Sequence, residues 1–156
     1  MSILRLPGSI YEELRAHGEE TYPRECCGAL LGRPINDEGR GSWKIESLVR
    51  ATNAHAGAAG DGAIDHYEIA PAELVRIAGE ARSRGIEIAG FYHSHPDHPA
   101  QWSVTDLAEA HWLGSSYVIT EIAQGKAEAT KAFLLAGSTE EDKRFEVQAI
   151  QIEHPD

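Results

Sequence analysis

Residues 86–106 read IEIAGFYHSHPDHPAQWSVTD. The first part is apolar at Ile86, Ile88, Ala89 and Phe91, which predicts a buried strand over 86–92. His93 and His95 follow two positions apart, so their side chains point the same way if the strand runs through them. Pro96 ends the strand and turns the chain, and a helix is expected over 104–113 with Asp106 in its first turn. Two imidazoles on one face and a carboxylate folding back from the next helix can hold one divalent ion. Two histidines, one carboxylate and an open position is the pattern of a catalytic rather than a structural zinc. Taken singly, the parts have plainer readings. Ser103 and Asp106 form an ordinary capping box, and His93 and His95 could be hydrogen-bonded strand histidines. The combination is what favours a metal.

Working outward, a helix is expected from Ser9, where Ser9 and Glu12 form a capping-box pattern and Ile10, Leu14 and His17 share a face; Pro23 ends the region. The apolar run 27–31, closed by Gly32, reads as a strand, and the alternating 43–49 as its hairpin partner across a polar turn. Residues 51–62 are rich in Ala and Gly and predict a surface loop. Pro71 starts a helix to about residue 84, with Leu74, Ile77 and Ala78 inward and Gly85 as its cap. Strands are expected over 117–122, 129–135 and 145–152, with a charged turn at 138–143. The class is mixed α/β, with antiparallel neighbours beside helices.

The chain has 156 residues, which suits a single domain over 1–156 whose core needs no staples. Its 14 basic and 25 acidic residues give a net charge of −11, which argues against nucleic acid or an anionic membrane as partner. No apolar stretch is long enough for a membrane span and no signal peptide is evident, so a cytoplasmic protein is expected. The two cysteines, Cys26 and Cys27, are adjacent and read as small buried hydrophobes in a reducing compartment. His98 reads as exposed, and His55, His66 and His111 as structural or solvated.

A bound water would need a proton acceptor and donor. The candidate is Glu25, at the mouth of the apolar strand in Arg24-Glu25-Cys26-Cys27-Gly28, where burial would raise a carboxyl toward a useful pKa. Pairing of Glu25 with Arg24 or solvent is the plainer alternative.

Together these segments resemble the JAMM, or MPN+, metalloprotease family. Its pattern is a Glu ahead of a short Gly-containing apolar strand, then His-x-His-Pro, six residues and Ser-x-x-Asp. The chain has Glu25, His93, His95, Pro96, Ser103 and Asp106 at that spacing. The Glu-Cys-Cys-Gly form, Asn53 and the stretch from Tyr67 to Pro71 are similar to the prokaryotic JAB-domain branch. The resemblance implies a JAMM/MPN domain with a cytidine-deaminase-like curved mixed sheet flanked by helices. It implies one zinc per chain on His93, His95 and Asp106, with Glu25 as general base and then acid, and Ser103 as donor to the oxyanion. It implies a metallopeptidase or isopeptidase acting on a ubiquitin-like or sulfur-carrier protein through its C-terminal Gly-Gly tail. The tail would run beside the metal along an exposed sheet edge, with 51–62 as a flap. Trp102 departs from the small residue or proline expected there; it would either wall the substrate channel or pack on the helix start.

Two other classes fit the residues less well. A non-catalytic module of this fold that binds a ubiquitin-like partner typically lacks metal ligands, and here all are present. A deaminase would need His-x-Glu and Pro-Cys-x-x-Cys, whereas His95 stands at the Glu position and the cysteines precede the histidines.

Overall fold

The computed structural model describes residues 1–36, 41–57 and 66–154. The strands are β1 (Ile3–Pro7), β2 (Cys27–Pro34), β3 (Trp43–Ala51), β4 (Glu87–Pro96), β5 (Ser116–Ala123), β6 (Lys126–Ala136) and β7 (Arg144–Glu153). The helices are α1 (Gly8–Thr21), α2 (Pro71–Ser83) and the short α3 (Val104–Glu109), with a 3-10 turn at Ala54–Gly57. The strands lie in the order β1-β3-β2-β4-β5-β6-β7, and parallel pairing of β1 with β7 closes them into a barrel. The mixed sheet expected from the sequence is therefore present but has no open end. β2 is antiparallel to both β3 and β4, while β4 and β5 run parallel.

β2 and β4 read as unbroken apolar runs because both of their faces are covered. On one face Leu30 and Tyr92 join Leu4, Leu6 and Val118 beneath Ile10 and Leu14 of α1. On the other, Ala29, Leu31 and Phe91 meet Ile77 and Ala81 of α2. Strand parity thus assigns sides. Residues 27, 29 and 31 and residues 91, 93 and 95 share the α2 side, and residues 28, 92 and 94 the α1 side.

Helix α1 starts one residue earlier than the Ser9 pattern predicts. Pro7, in extended conformation, occupies the N-cap position, and no side chain caps the helix. Strand β1 runs straight into it, so Ser9 falls inside the first turn. Helix α2 begins at Pro71 as expected, and Gly85 beyond it takes φ +69°, a conformation glycine adopts without penalty. Its fully buried residues are Ile77 and Ala81; Leu74 and Ala78 are half-buried. Helix α3 ends at Glu109, short of the predicted 113, because Ala110 is extended and Lys143 Nζ takes the carbonyls of Ala108 and Ala110 at 3.1 and 2.8 Å. Both cysteines are buried free thiols, and burial pushes that of Cys26 up to about 12. Of the loop expected at 51–62, Ala51 closes β3, Ala54–Gly57 forms the 3-10 turn, and residues 58–62 lie outside the described residues. Among the described residues no helix is long and apolar enough to cross a membrane.

Candidate metal centre

The site lies on the α2 side of the β2–β4 pair, at the end where the chain leaves β4. β4 continues through His93 and His95 to Pro96, which meets the condition for the two imidazoles to share a face. Asp106 arrives from the first turn of α3. His93 Nε2 lies 3.2 Å from His95 Nε2 and 3.3 Å from Asp106 Oδ1, and His95 Nε2 lies 3.1 Å from Asp106 Oδ2. Ligands 2.0–2.1 Å from a tetrahedral ion are about 3.3–3.4 Å apart, so the two Nε2 atoms are spaced as two corners of a zinc site, and each faces one oxygen of the Asp106 carboxylate at a similar distance, leaving either oxygen to supply the third corner. Among the described residues it is the group of His, Cys, Asp and Glu that could hold a metal ion.

Local structure aims each ligand. His95 Nδ1–H donates to the carbonyl of Pro99 at 3.0 Å, which holds the ring with Nε2 facing the triangle. Pro99 can reach back because the chain turns sharply at Asp97, where φ is +56° and the side chain is tied to Tyr22 Oη and to the amide of Gln124. The Ser103–Asp106 capping box is present: Ser103 Oγ accepts from Asp106 N at 3.0 Å, and Ser103 N donates to Asp106 Oδ2 at 2.9 Å. The plainer reading and the metal reading thus describe one device, because the box is what turns the Asp106 carboxylate toward the histidines. His93 is flanked by the Tyr67 ring, stacked at 4.4 Å between centroids.

The electrostatics tie the three groups to one another. Burial would raise the Asp106 carboxyl, but hydrogen bonds from His93 and His95 outweigh it and hold the carboxyl far below the usual range. Burial lowers His93 below its ordinary value. Burial also opposes charge on His95, yet its bonds to Asp106 and Pro99 leave it above the ordinary value. A carboxylate and two imidazole nitrogens converging in a buried space suit zinc by donor type as well as by distance.

Glu25 is 6% exposed and stands two residues before Cys27, which pairs with His93. Continued two residues beyond the ladder, a course supported as far as Cys26 by the Ser94 N to Cys26 O bond at 3.3 Å, that register would set Glu25 opposite His95 and on the same face as the triangle. Ser94, between the ligands, faces the other side and receives the Cys26 N–H on its Oγ at 2.8 Å, locking β4 to β2 at the site.

Tyr67 also forms part of a neighbouring cavity of about 320 Å³, floored by Phe91, Trp112 and Tyr117 and edged by Glu68 and Glu109. Trp102 packs on Phe145 of β7 at 5.6 Å and belongs to the cluster around Ile119 and Phe133, so its packing partner is the sheet and not the helix start. His98 is exposed. The rings of His55 and His66 meet at a tilt with centroids 4.0 Å apart, His66 pairs with Glu109 at 2.9 Å, and His111 pairs with Glu140 at 2.8 Å. Neither Tyr67 nor Ser94 is singled out by ligand spacing. Ser94 is recoverable from the alternation His93-Ser94-His95, whereas the stacking of Tyr67 on His93 has no local signal.

Proteins similar to this chain are known. A probable protease that cleaves TtuB–protein conjugates, from Thermus thermophilus, is 28% identical over 110 residues, which are 70% of this chain and 65% of that protein. The chain thus matches just under two thirds of that relative's length. A desampylase from Haloferax volcanii is 31% identical over 122 residues, 76% of this chain and 80% of its own. A solution structure from Desulfitobacterium hafniense superposes over 97% of this chain and 94% of its own with a TM-score of 0.78 at 26% identity. One from Salinibacter ruber does so over 98% and 92% with a TM-score of 0.68 at 33% identity. The family model for prokaryotic homologs of the JAB domain matches residues 7–150, and with nearly its whole length inside that match the chain belongs to this family.

Proposed function

We propose that this chain is a zinc-dependent peptidase or isopeptidase, working as one domain in the cytoplasm. It would cut the bond that follows the Gly-Gly tail of a ubiquitin-like or sulfur-carrier protein. The observation that carries this reading is the His93–His95–Asp106 triangle, with edges of 3.1 to 3.3 Å, set on the face toward which Glu25 is directed. The names of the Thermus and Haloferax relatives supply the substrate class.

His93, His95 and Asp106 would hold the zinc, which when bound supplies Lewis acidity toward the scissile carbonyl and the attacking water. Glu25 takes the proton that the water gives up and returns it to the departing amine. Ser103 Oγ spends a lone pair on the Asp106 amide, so its hydroxyl proton stays free to donate to the developing oxyanion. The aromatic floor beside Tyr67 keeps apolar surface near the reacting bond, where charge interactions are less screened.

The test is cleavage of a ubiquitin-like sulfur carrier fused through Gly-Gly to a reporter. Zinc-loaded protein should release the reporter. Glu25→Gln should bind one zinc and lose about 10²- to 10⁴-fold in rate, as expected for loss of a general base. A zinc-loaded parent that leaves such fusions intact would leave the chain as a binding module. An active Glu25→Gln would remove Glu25 from its role.

A further inference from the structure

Asn53 lies just beyond the end of β3 and is 9% exposed. Its side-chain amide is fully engaged. Nδ2 donates to the carbonyls of Glu25 at 3.2 Å and His66 at 2.9 Å, and Oδ1 accepts from the N–H groups of His55 at 3.0 Å and Glu68 at 3.1 Å. With carbonyls on one side and N–H groups on the other, one orientation of the amide satisfies all four bonds, which exhausts the hydrogen-bonding capacity of an asparagine side chain.

The partners matter more than their number. The carbonyl of His66 and the amide of Glu68 flank Tyr67, whose ring lies on His93. The carbonyl of Glu25 belongs to the residue directed at the triangle. Regular pairing of β2 with β4 begins only at Cys27, so Glu25 stands outside the ladder. A single side chain therefore ties the main chain of Glu25 to both sides of Tyr67. None of its bonds reaches His93, His95 or Asp106.

We propose that Asn53 is a positioning residue for the reaction: through its four hydrogen bonds it sets the backbone of Glu25 and of Tyr67 together, and so fixes where the proton-transferring carboxylate stands relative to the His93 ring. This rests on the peptidase reading above. A displacement near 1 Å at a reacting group costs about 100-fold in rate, and that is the loss expected when the hub is broken.

The test compares the full-length parent with Asn53→Ala and Asn53→Asp. The aspartate variant keeps the size and the acceptor pair toward His55 and Glu68, but sets an oxygen against the carbonyls of Glu25 and His66. Zinc stoichiometry, melting temperature and backbone NMR of the zinc-free protein are read beside kcat, KM and the pH profile on the Gly-Gly fusion. Both variants should bind one zinc and show displaced resonances at Glu25 and Tyr67. Their kcat should fall about 100-fold with KM changed by less than about threefold and the acid limb of the profile unmoved.

Turnover near the parent value would overturn the proposal, as would a loss that tracks zinc. So would a loss confined to Asn53→Asp with the acid limb moved upward, which would be an effect of charge. If Asn53→Ala does not fold, Asn53→Asp decides; unfolding of both would make Asn53 a residue of the fold and overturn its assignment to the reaction. If the parent cleaves nothing, the peptidase reading fails by itself. The NMR comparison still decides whether Asn53 sets Glu25 and Tyr67, since unmoved resonances there would refute it.

Discussion

Gly28, the glycine of Glu-Cys-Cys-Gly, should not tolerate even a methyl group. It pairs with Tyr92 across the β2–β4 ladder, and the Tyr92 ring lies over it. A Cβ at position 28 would sit 2.3 Å from Tyr92 Cε1 and 2.4 Å from Cζ and Oη, where carbon atoms normally approach to about 3.5–4.0 Å. The ring would have to move by more than 1 Å, yet it is 1% exposed and its hydroxyl is bonded to His17 Nδ1 at 2.8 Å. Overpacking of this kind costs about 1–3 kcal/mol, and a weakened buried hydrogen bond about 1 more. Gly28→Ala should therefore lose about 2–4 kcal/mol, which for a domain of this size lowers the melting temperature by roughly 4–16 °C. The assay is urea and thermal unfolding in chelator, so that metal binding does not mask the loss. Tyr92→Leu in the same chain should relieve the clash and leave the double variant more stable than the sum of the single losses by about 1 kcal/mol or more. A melting temperature within about 2 °C of the parent, or strict additivity, would refute the packing argument.

Three further outcomes are expected. Burial and the nearby Arg50 lower the pKa of His17 from 6.5 to about 4, so the folded protein keeps it neutral where the unfolded chain would protonate it. Its contribution is complete above pH 6.5 and is lost as pH falls toward 4, about 3 kcal/mol in all; His17→Gln should flatten that part of a stability–pH curve, and an unchanged slope would contradict the assignment. Lys143, whose side chain is 8% exposed, caps the end of α3, so Lys143→Met should cost about 2 kcal/mol in urea unfolding and weaken zinc binding by loosening the helix that carries Asp106. Ser103→Ala removes the hydroxyl that caps the Asp106 amide but keeps the Ser103 N–H that holds the carboxylate; it should cost about 1 kcal/mol and, by loosening the helix start, weaken zinc by about tenfold in competition with a chelator.

The elements around the site were legible because their signals are local. Same-face histidines at a strand end, a proline stop and Ser-x-x-Asp at a helix start single out three candidate ligands with no knowledge of the rest of the chain. The hairpin of β2 with β3 likewise follows from an apolar run and an alternating one joined by a polar turn. β1 escaped because it is five residues long, ends in a proline and earns its place by pairing with β7 at the opposite end of the sequence. The closure of the barrel escaped with it. Ser9-x-x-Glu12 misplaced the start of α1 because a capping box competes with whatever precedes it, and here an extended proline already sets the entry. The over-long α3 reflects a lysine more than thirty residues away that captures the carbonyls a further turn would use. The link from Asn53 to Glu25 is equally distant, and nothing in residue spacing announces it.

The most direct test of the account is zinc stoichiometry, by equilibrium dialysis of stripped protein beside Asp106→Ala. The triangle of His93, His95 and Asp106 predicts one zinc per parent chain and its loss in the variant. A parent that binds none, or a variant that stays fully loaded, would reduce the histidines and the Ser103–Asp106 box to structural elements and contradict the metal centre.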